Sequence, residues 1–325
     1  MAESTLSLFF EDLGKSTAHY LGWGRKATVG DGLTTAQVAN VNAANNAGYR
    51  RFLLSHEWAF RSPRVAFTLW ADVAGTLTGV FASPNTTLTA TTAKFFPSMI
   101  GHSIVIATVG TFTITAYTSS TIVTVSGNAT CSSKAFTIAA DGVYRMADDF
   151  GSMKSTEIYY ASGSNDNRFI TVTSEAMVAN ALQENAQTNR PYWAGIRPVA
   201  IAATGQRFDL AVYPIPDVSY SVTFRYDVNP DALTAGLYPY GGMDHAETIR
   251  ACCLGAAEEM FNDFQTDKRA SADRLLAMSI ASDNRNNRPD RIGITRSRGA
   301  RRGKFAEAWP NEYVTVGTVN GTNFN

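Results

Sequence analysis

Histidine and cysteine are the residue types best suited to binding metals, and the histidines of this chain are scattered. His19, His56, His102 and His245 lie far apart, and none stands in an H-E-x-x-H frame. The sequence contains no C-x-x-C pair, so a zinc site would lack adjacent ligands. We therefore expect solvated or hydrogen-bonded structural histidines, and we predict neither a metal nor a cofactor.

The three cysteines are too few for a disulfide framework. Cys252 and Cys253 are adjacent on a predicted helix, and Cys131 lies far away among predicted strands. This pattern favours buried free thiols in a reducing compartment. The chain is accordingly expected to be made in a cytoplasm.

Signals of catalysis are scarce. The acidic pairs Asp148-Asp149 and Glu258-Glu259 are sequence neighbours, whose side chains diverge on a strand or helix, so we expect surface or interface charges. The sequence has no G-x-S-x-G elbow and no P-loop, and its early glycines do not match a dinucleotide fingerprint. The protein is predicted not to be an enzyme.

Aromatic side chains are interleaved with arginines in several places. They could stack nucleobases, but such residues more often fill a core or an interface, which we favour. The segments are HEWAF, RPYW and YPYGG, with Arg51, Arg61, Arg190 and Arg197 near them.

Positive charge is concentrated in one segment near the end of the chain. Between Arg285 and Lys304 there are eight Arg or Lys residues and one acid, Asp290, in a chain whose formal net charge is zero. With few apolar residues to build a core, this segment predicts an extended arm. Such an arm would bind an acidic protein surface or nucleic acid; the alternative is a solvated tail without a partner.

One long helix is indicated toward each end of the chain. A helix from Thr34 to about Ser55 starts with a capping box of Thr34 and Gln37. A second helix of about 35 to 40 residues is predicted to start at Asp244, with Glu247 three residues on. Because so long a helix usually needs a neighbour, we expect its apolar stripe to contact another subunit. The stripe includes Ile249, Cys253, Met260, Phe264, Leu275 and Ile280. Two ordinary helices with a break near Gln265-Thr266 are the alternative.

Between the helices the pattern changes to alternation. Four short segments rich in Thr, Val and Ile, within residues 103–142, predict an antiparallel sandwich or barrel over about residues 75–140. Two later strands flank Pro214-Ile215-Pro216-Asp217, which predicts a hairpin. No apolar run approaches 18 residues, so no membrane span is expected, and the N-terminus does not resemble a secretory signal.

The expected fold class is α+β: a helical bundle with one long C-terminal helix, β-hairpins and an inserted small antiparallel β-sandwich or barrel module. Residues 1–74 would hold the N-terminal helices and first strand, and residues 75–140 the β module. Residues 141–284 would complete the core, and residues 285–325 would form the basic arm.

Four segments together resemble head-to-tail adaptor proteins of tailed bacteriophages, the group that includes the tail tubular protein A of short-tailed phages. Met146 and Ala147 replace the Leu and Pro of the family's pattern in the second segment. The segment from Phe95 to Gly127 is similar to β modules of phage tail tubes, here as an insertion between Val73 and Val143. The four segments are NNAGYRRFLLSHEWAF, VYRMADDFG, AVYPIPDVSYSVTFRYDVNPDALT and PYGGMDHAETIRACCLGAAEE.

The resemblance implies a structural protein of the virion neck or tail, made in the host cytoplasm. Adaptors of this kind form a homo-oligomeric ring, usually of twelve copies, between the portal protein and a tail nozzle, tube or fibre protein. DNA passes through the lumen without sequence-specific recognition. Alternatives are a tail-tube or fibre-docking component, and a nucleic-acid-binding protein that acts through its arm. A cell-wall hydrolase is a more distant possibility.

Under the adaptor interpretation the arm is the predicted portal-docking element. Arginine suits this role because its guanidinium pairs bidentately with carboxylates. Strong binding of the arm to DNA phosphates would instead slow the passage of DNA through a lumen. Phe305 and Trp309 would add apolar anchors. The predicted docking residues are Arg285, Arg288, Arg291, Arg296, Arg298, Arg301, Arg302, Lys304, Phe305 and Trp309.

Overall fold

The computed structural model describes residues 8–161, 169–201, 205–261 and 267–286. The helices are α1 (Phe10–Tyr20), α2 (Thr35–Leu54), α3 (Glu175–Glu184), α4 (Ala246–Phe261) and α5 (Lys268–Asn286). The first seven strands are β1 (Arg64–Leu69), β2 (Val73–Ala82), β3 (Asn85–Ala90), β4 (Ser103–Ile106), β5 (Gly110–Ser119), β6 (Ile122–Ser126) and β7 (Cys131–Ile138). The other seven are β8 (Val143–Arg145), β9 (Phe150–Met153), β10 (Glu157–Tyr160), β11 (Phe169–Thr173), β12 (Trp193–Ile201), β13 (Gly205–Tyr213) and β14 (Tyr220–Val228).

The expected helical bundle is wrong. The described residues are mostly β, with two barrel-like sheets, and the helices form a smaller group. Segments in which Thr, Val and Ile alternate with other residues outnumber the helical segments. Each can form a strand whose one face is buried in the core that its sheet encloses. Helical periodicity at the two ends of the chain led to an overestimate of the helical share.

Strands β2 to β7 close into a six-stranded antiparallel barrel in the order β2-β3-β6-β5-β4-β7. Alternate residues point inward, and Leu77, Leu88, Ile104 and Val123 are fully buried. The barrel runs from Val73 to Ile138. It has six strands and not the four predicted, because β2 and β3 also belong to it.

The second sheet has the order β1-β14-β10-β11-β12-β13-β8, with β9 beside β14. Only β11 and β12 pair in parallel among its ladders, and α3 is the crossover between them. The barrel is inserted between the two edge strands, β1 and β8. Those edges meet through Tyr144, whose hydroxyl donates to the carbonyl of Trp70 at 2.7 Å.

The predicted hairpin around Pro214 and Pro216 is also wrong. Strands β13 and β14 flank the prolines, but β12, β11 and β10 lie between them in the sheet. Turn residues show where a strand ends. They do not determine which strand the chain pairs with next.

The single long C-terminal helix is replaced by two antiparallel helices. The hydroxyls of Thr248 in α4 and Ser279 in α5 are 2.6 Å apart, whereas in one continuous helix they would be separated by about 46 Å. The alternative of two helices is therefore correct, although residues 262–266 lie outside the described residues. Asp244 does not cap α4, because it lies inside a 3-10 turn that precedes Ala246.

Helices α1, α2 and α4 pack around their own core. The capping box at the start of α2 is confirmed: Thr34 accepts from the backbone of Gln37, and the Gln37 side chain accepts from the backbone of Thr34. The core residues are Phe10, Leu13, Tyr49, Phe52, Leu53, Trp58, Leu233, Ile249, Cys252, Cys253 and Ala272.

Candidate assembly surfaces

The apolar stripe predicted to contact another subunit is mostly internal. Ile249 and Cys253 are buried in the helical core, and Leu275 and Ile280 are half-buried. Met260 is the member that faces solvent, and Phe264 lies outside the described residues. Ile249 and Cys253 of α4 pack in the helical core of the same chain. The expected contact with another subunit is therefore wrong for these two residues.

Glu258 was expected to be a surface or interface charge but is buried within the chain. One of its carboxylate oxygens accepts from the Tyr20 hydroxyl at 3.3 Å, and the other accepts from the backbone N–H of Arg269 at 3.0 Å. The N–H of Arg269 lies in the first turn of α5, where helical donors lack partners within the helix. Glu258 therefore fixes the start of α5 against α4.

The other acids of the two adjacent pairs also have structural partners. Arg51 of α2 forms ion pairs with Glu259 at 3.1 Å and with Asp273 at 2.8 Å. Asp149 accepts from the Tyr226 hydroxyl at 2.8 Å, and Asp148 pairs with Arg207. These contacts hold elements of the chain together, so none of them marks an acid–base pair for catalysis.

A group of exposed apolar side chains lies at one end of the helices, which we call the loop-end patch. Its members are Leu54, Leu237, Tyr238, Tyr240, Met243 and Met278, each at least 41% exposed. The end of α2 and the start of α4 meet here, because the ring of Phe52 lies 5.7 Å from that of His245. The pairing of Thr248 with Ser279 brings the neighbouring Met278 to the same end.

The loop that carries most of this patch is pinned to the helices. The backbone N–H of Phe10 donates to the carbonyl of Leu237, and the N–H of Tyr240 donates to the Tyr49 hydroxyl at 2.9 Å. The Asn46 side chain also exchanges two hydrogen bonds with the backbone of Leu233. A loop whose backbone is already fixed needs less ordering on binding, and exposed apolar patches mark interaction surfaces.

The aromatic residues near arginines mostly serve packing. Trp58 is buried and stacks on Phe52 at 4.5 Å. Arg61 donates to the backbone carbonyls of Leu53 and Val228. Arg190 lies over the ring of Tyr160 at 4.0 Å, and Arg197 pairs with Asp209. The arginines therefore have roles within the chain that do not require a nucleobase.

His102 lies at the junction between the barrel and the second sheet. Its Nε2 is 2.8 Å from the Val143 carbonyl and 3.2 Å from an oxygen of Asp141, and its Nδ1 is 3.3 Å from the Met99 carbonyl. Burial lowers the pKa of His102, but the hydrogen bond and charge of Asp141 outweigh burial and raise it. Acceptors face both ring nitrogens, an arrangement that suits the protonated ring.

His245 and the adjacent Cys252 and Cys253 are buried. His245 lies among the rings of Phe52, Trp58 and Phe60. Burial raises the pKa of Cys252 to about 11 and raises that of Cys253 as well, so both thiols stay protonated. Within the described ranges, no three His, Cys, Asp or Glu side chains are grouped so as to hold a metal ion.

Most of the predicted docking arm lies outside the described residues. Arg285 is exposed in the last turn of α5, and the remaining docking residues, Arg288 to Trp309, fall beyond residue 286. In the described part of the chain, no helix is both long enough and apolar enough to cross a membrane.

Comparisons with known proteins gave no match, either to a protein-family model or to a curated protein. The adaptor resemblance therefore rests on the four segments, and the fold brings them together in pairs. Gly48 in the first segment packs against Cys253 in the fourth. Val143 and Phe150 in the second segment pair with Ala211 and Val228 in the third. Segments far apart in sequence are thus neighbours in space.

Proposed function

We propose that this protein is a structural component of a bacteriophage virion, a head-to-tail adaptor whose copies form a ring between the portal and the tail. The ring would carry the tail nozzle, tube or fibre proteins on its other side, and DNA would pass through its lumen. The protein would act through its surfaces and not through catalysis.

The observation that carries this proposal is the meeting of the resembling segments in two separate places. The first and fourth segments meet where α2 crosses α4, and the second and third meet in the ladders of β8 with β13 and of β9 with β14. Segments that together build one core are expected to meet in this way, and this supports the proposal.

The loop-end patch provides a surface on which such a ring could be built. It presents six apolar side chains on elements that are already held in place, three of them large aromatic or sulfur-containing residues on one loop: Tyr238, Tyr240 and Met243. Aromatic residues and Met are enriched in the cores of protein interfaces. We propose that the patch contacts another virion protein or another copy.

The distribution of charge gives the arm a partner of defined chemistry. Residues 1–284 contain 25 acids and 20 Arg or Lys residues, whereas Arg285 to Lys304 contain eight bases and one acid. Guanidinium groups pair readily with carboxylates of another protein. Phosphates of DNA would also attract them, so a contact between the arm and DNA is the competing use.

Electron microscopy of the purified full-length protein mixed with cognate portal rings tests this proposal. We expect a second ring coaxial with the portal, with isolated rings or monomers in the absence of portal. Stacked tubes would instead favour a tail-tube protein, the second candidate, which the closed β-barrel supports. Monomers that leave the portal unchanged would contradict the adaptor function.

A further inference from the structure

The barrel is almost free of charge. Val73 to Ile138 comprise 66 residues with two charged side chains, Lys94 and Lys134, and no Asp or Glu. If 17% of its residues were charged, as in the whole chain, a segment of this length would carry about eleven charged side chains. Surfaces of soluble proteins contain at least this share of charged residues. All of these residues are described, so the outer face of the barrel is known throughout.

Hydroxyl groups and exposed apolar side chains take the place of charges on this face. Sixteen threonines and eight serines lie in the segment, and the outward positions of β2 and β3 form direct cross-strand pairs, Thr78 with Thr89 and Val80 with Thr87. Val80 is 65% exposed and Val105 47% exposed. The face is almost uncharged, and it carries many groups that both donate and accept hydrogen bonds.

Such a face is suited to contact with the same face on another copy of the chain. Charged groups must be desolvated at an interface, and like charges of two identical faces would repel. A face with only two lysines carries little of either penalty, and its hydroxyls can bond to the same hydroxyls on another copy. The cores of protein interfaces are likewise depleted of charged residues.

Other partners fit the face less well. Two lysines offer little attraction to a phosphate backbone or an acidic protein. A neutral glycan is bound by flat exposed rings, but Phe95 and Phe136 are buried, and Phe112 and Tyr117 are half-buried. Phe81, at 39% exposure, is the most exposed large ring of the barrel.

We infer that the outer face of the barrel is a contact between copies of this chain, formed by its uncharged threonine-rich strands and centred on β2 and β3. The inference rests on the proposed function to the extent that copies assemble side by side. It adds which module makes the contact and why the module lacks charge.

Placing charges on the barrel of the full-length protein tests the inference by sedimentation velocity over a range of protein concentrations. The test variants are Val80→Glu with Thr87→Glu, on β2 and β3, and Val105→Glu with Thr111→Glu, on β4 and β5. The matched control is Ala66→Glu with Ser221→Glu, exposed positions on β1 and β14 of the second sheet. Thermal unfolding checks that each variant is folded.

We expect wild type and control to self-associate with similar dissociation constants, and at least one barrel variant to associate at least tenfold more weakly. A wild type that stays monomeric throughout, or barrel variants that associate as the control does, would overturn the barrel contact. Either result would leave the adaptor function to be decided by portal binding, so the two failures can be told apart.

Discussion

Gly48 of α2 and Cys253 of α4 are in direct contact at the point where the two helices cross. A Cβ atom on Gly48 would lie 2.4 Å from the Cα of Cys253 and 2.6 Å from the carbonyl carbon of Cys252. Real Cβ atoms do not come so close to backbone, so only glycine fits. Cys253 also lies within 3.5 Å of the Asn45 carbonyl through its sulfur, and this crossing joins the first and fourth family-like segments.

Substitution of Gly48 by Ala is predicted to force the two helices apart. Because the clash is with backbone, the free energy of unfolding should fall by about 3 kcal/mol or more. Gly14→Ala is the matched control, since its Cβ would meet nothing nearer than a side-chain atom of Val41 at 3.6 Å. In that case the better helix propensity of Ala should leave stability unchanged or raise it by up to about 1 kcal/mol. Chemical denaturation measures both, and equal effects would contradict the helix crossing.

Glu258 and Glu259 are predicted to differ sharply despite being neighbours. Glu258→Ala removes the buried acceptor of the Tyr20 hydroxyl and the Arg269 N–H, and should lower the free energy of unfolding by about 1 to 3 kcal/mol. Glu259→Ala removes ion pairs to Arg51 and Arg269 that are partly exposed to solvent, worth less than about 1 kcal/mol. Hydrogen exchange should show faster opening of α5 in Glu258→Ala. A larger effect at Glu259 would refute the assigned roles.

The junction at His102 is predicted to weaken as pH rises. The folded-state pKa of His102 is raised, so its contribution is complete below the unfolded value of about 6.5 and is lost as pH rises through the folded pKa. The Asp141 side chain is 60% exposed. Solvent screening therefore keeps the change in the free energy of unfolding below about 1 kcal/mol. Tyr144, Asp72 and Arg145 also lie near the junction.

Thermal unfolding of wild type and His102→Gln between pH 6 and pH 9 measures this contribution. The difference in melting temperature should be largest near pH 6 and should shrink toward pH 9. Asp141→Asn should reduce the same pH dependence while leaving the ring in place. A difference that stays constant across this range would show that His102 does not change its protonation there.

Local features were predictable from the sequence where one residue type decides the outcome. The capping box of Thr34 and Gln37 needed no knowledge of the rest of the chain. Inward–outward alternation likewise located strands of the barrel before its closure was known. Burial of Cys252 and Cys253 as free thiols was expected because three cysteines do not make a disulfide framework, and both are buried.

Features that depend on distant partners were not predictable. Pro214 and Pro216 ended a strand, but the pairing of β14 with β1 and β10 was decided by residues elsewhere in the sheet. Nothing local distinguished one long helix from the antiparallel pair α4 and α5, which the buried Glu258 helps to hold. The loop-end patch was missed because exposure is a property of the folded chain. The YPYGG turn was its one visible signal, since aromatic residues on a glycine-rich loop have little core to fill.

We propose that the protein couples a portal ring to the tail through its own surfaces, and co-sedimentation with cognate portal rings tests this coupling most directly. A variant lacking residues 284–325 and a full-length variant with the arm arginines replaced by Gln should both fold, as judged by circular dichroism. We predict that the wild type sediments with the portal and that neither variant does. A truncated protein that sediments with the portal as well as the wild type would contradict docking through the arm, and a wild type that does not sediment with it would contradict the adaptor function itself.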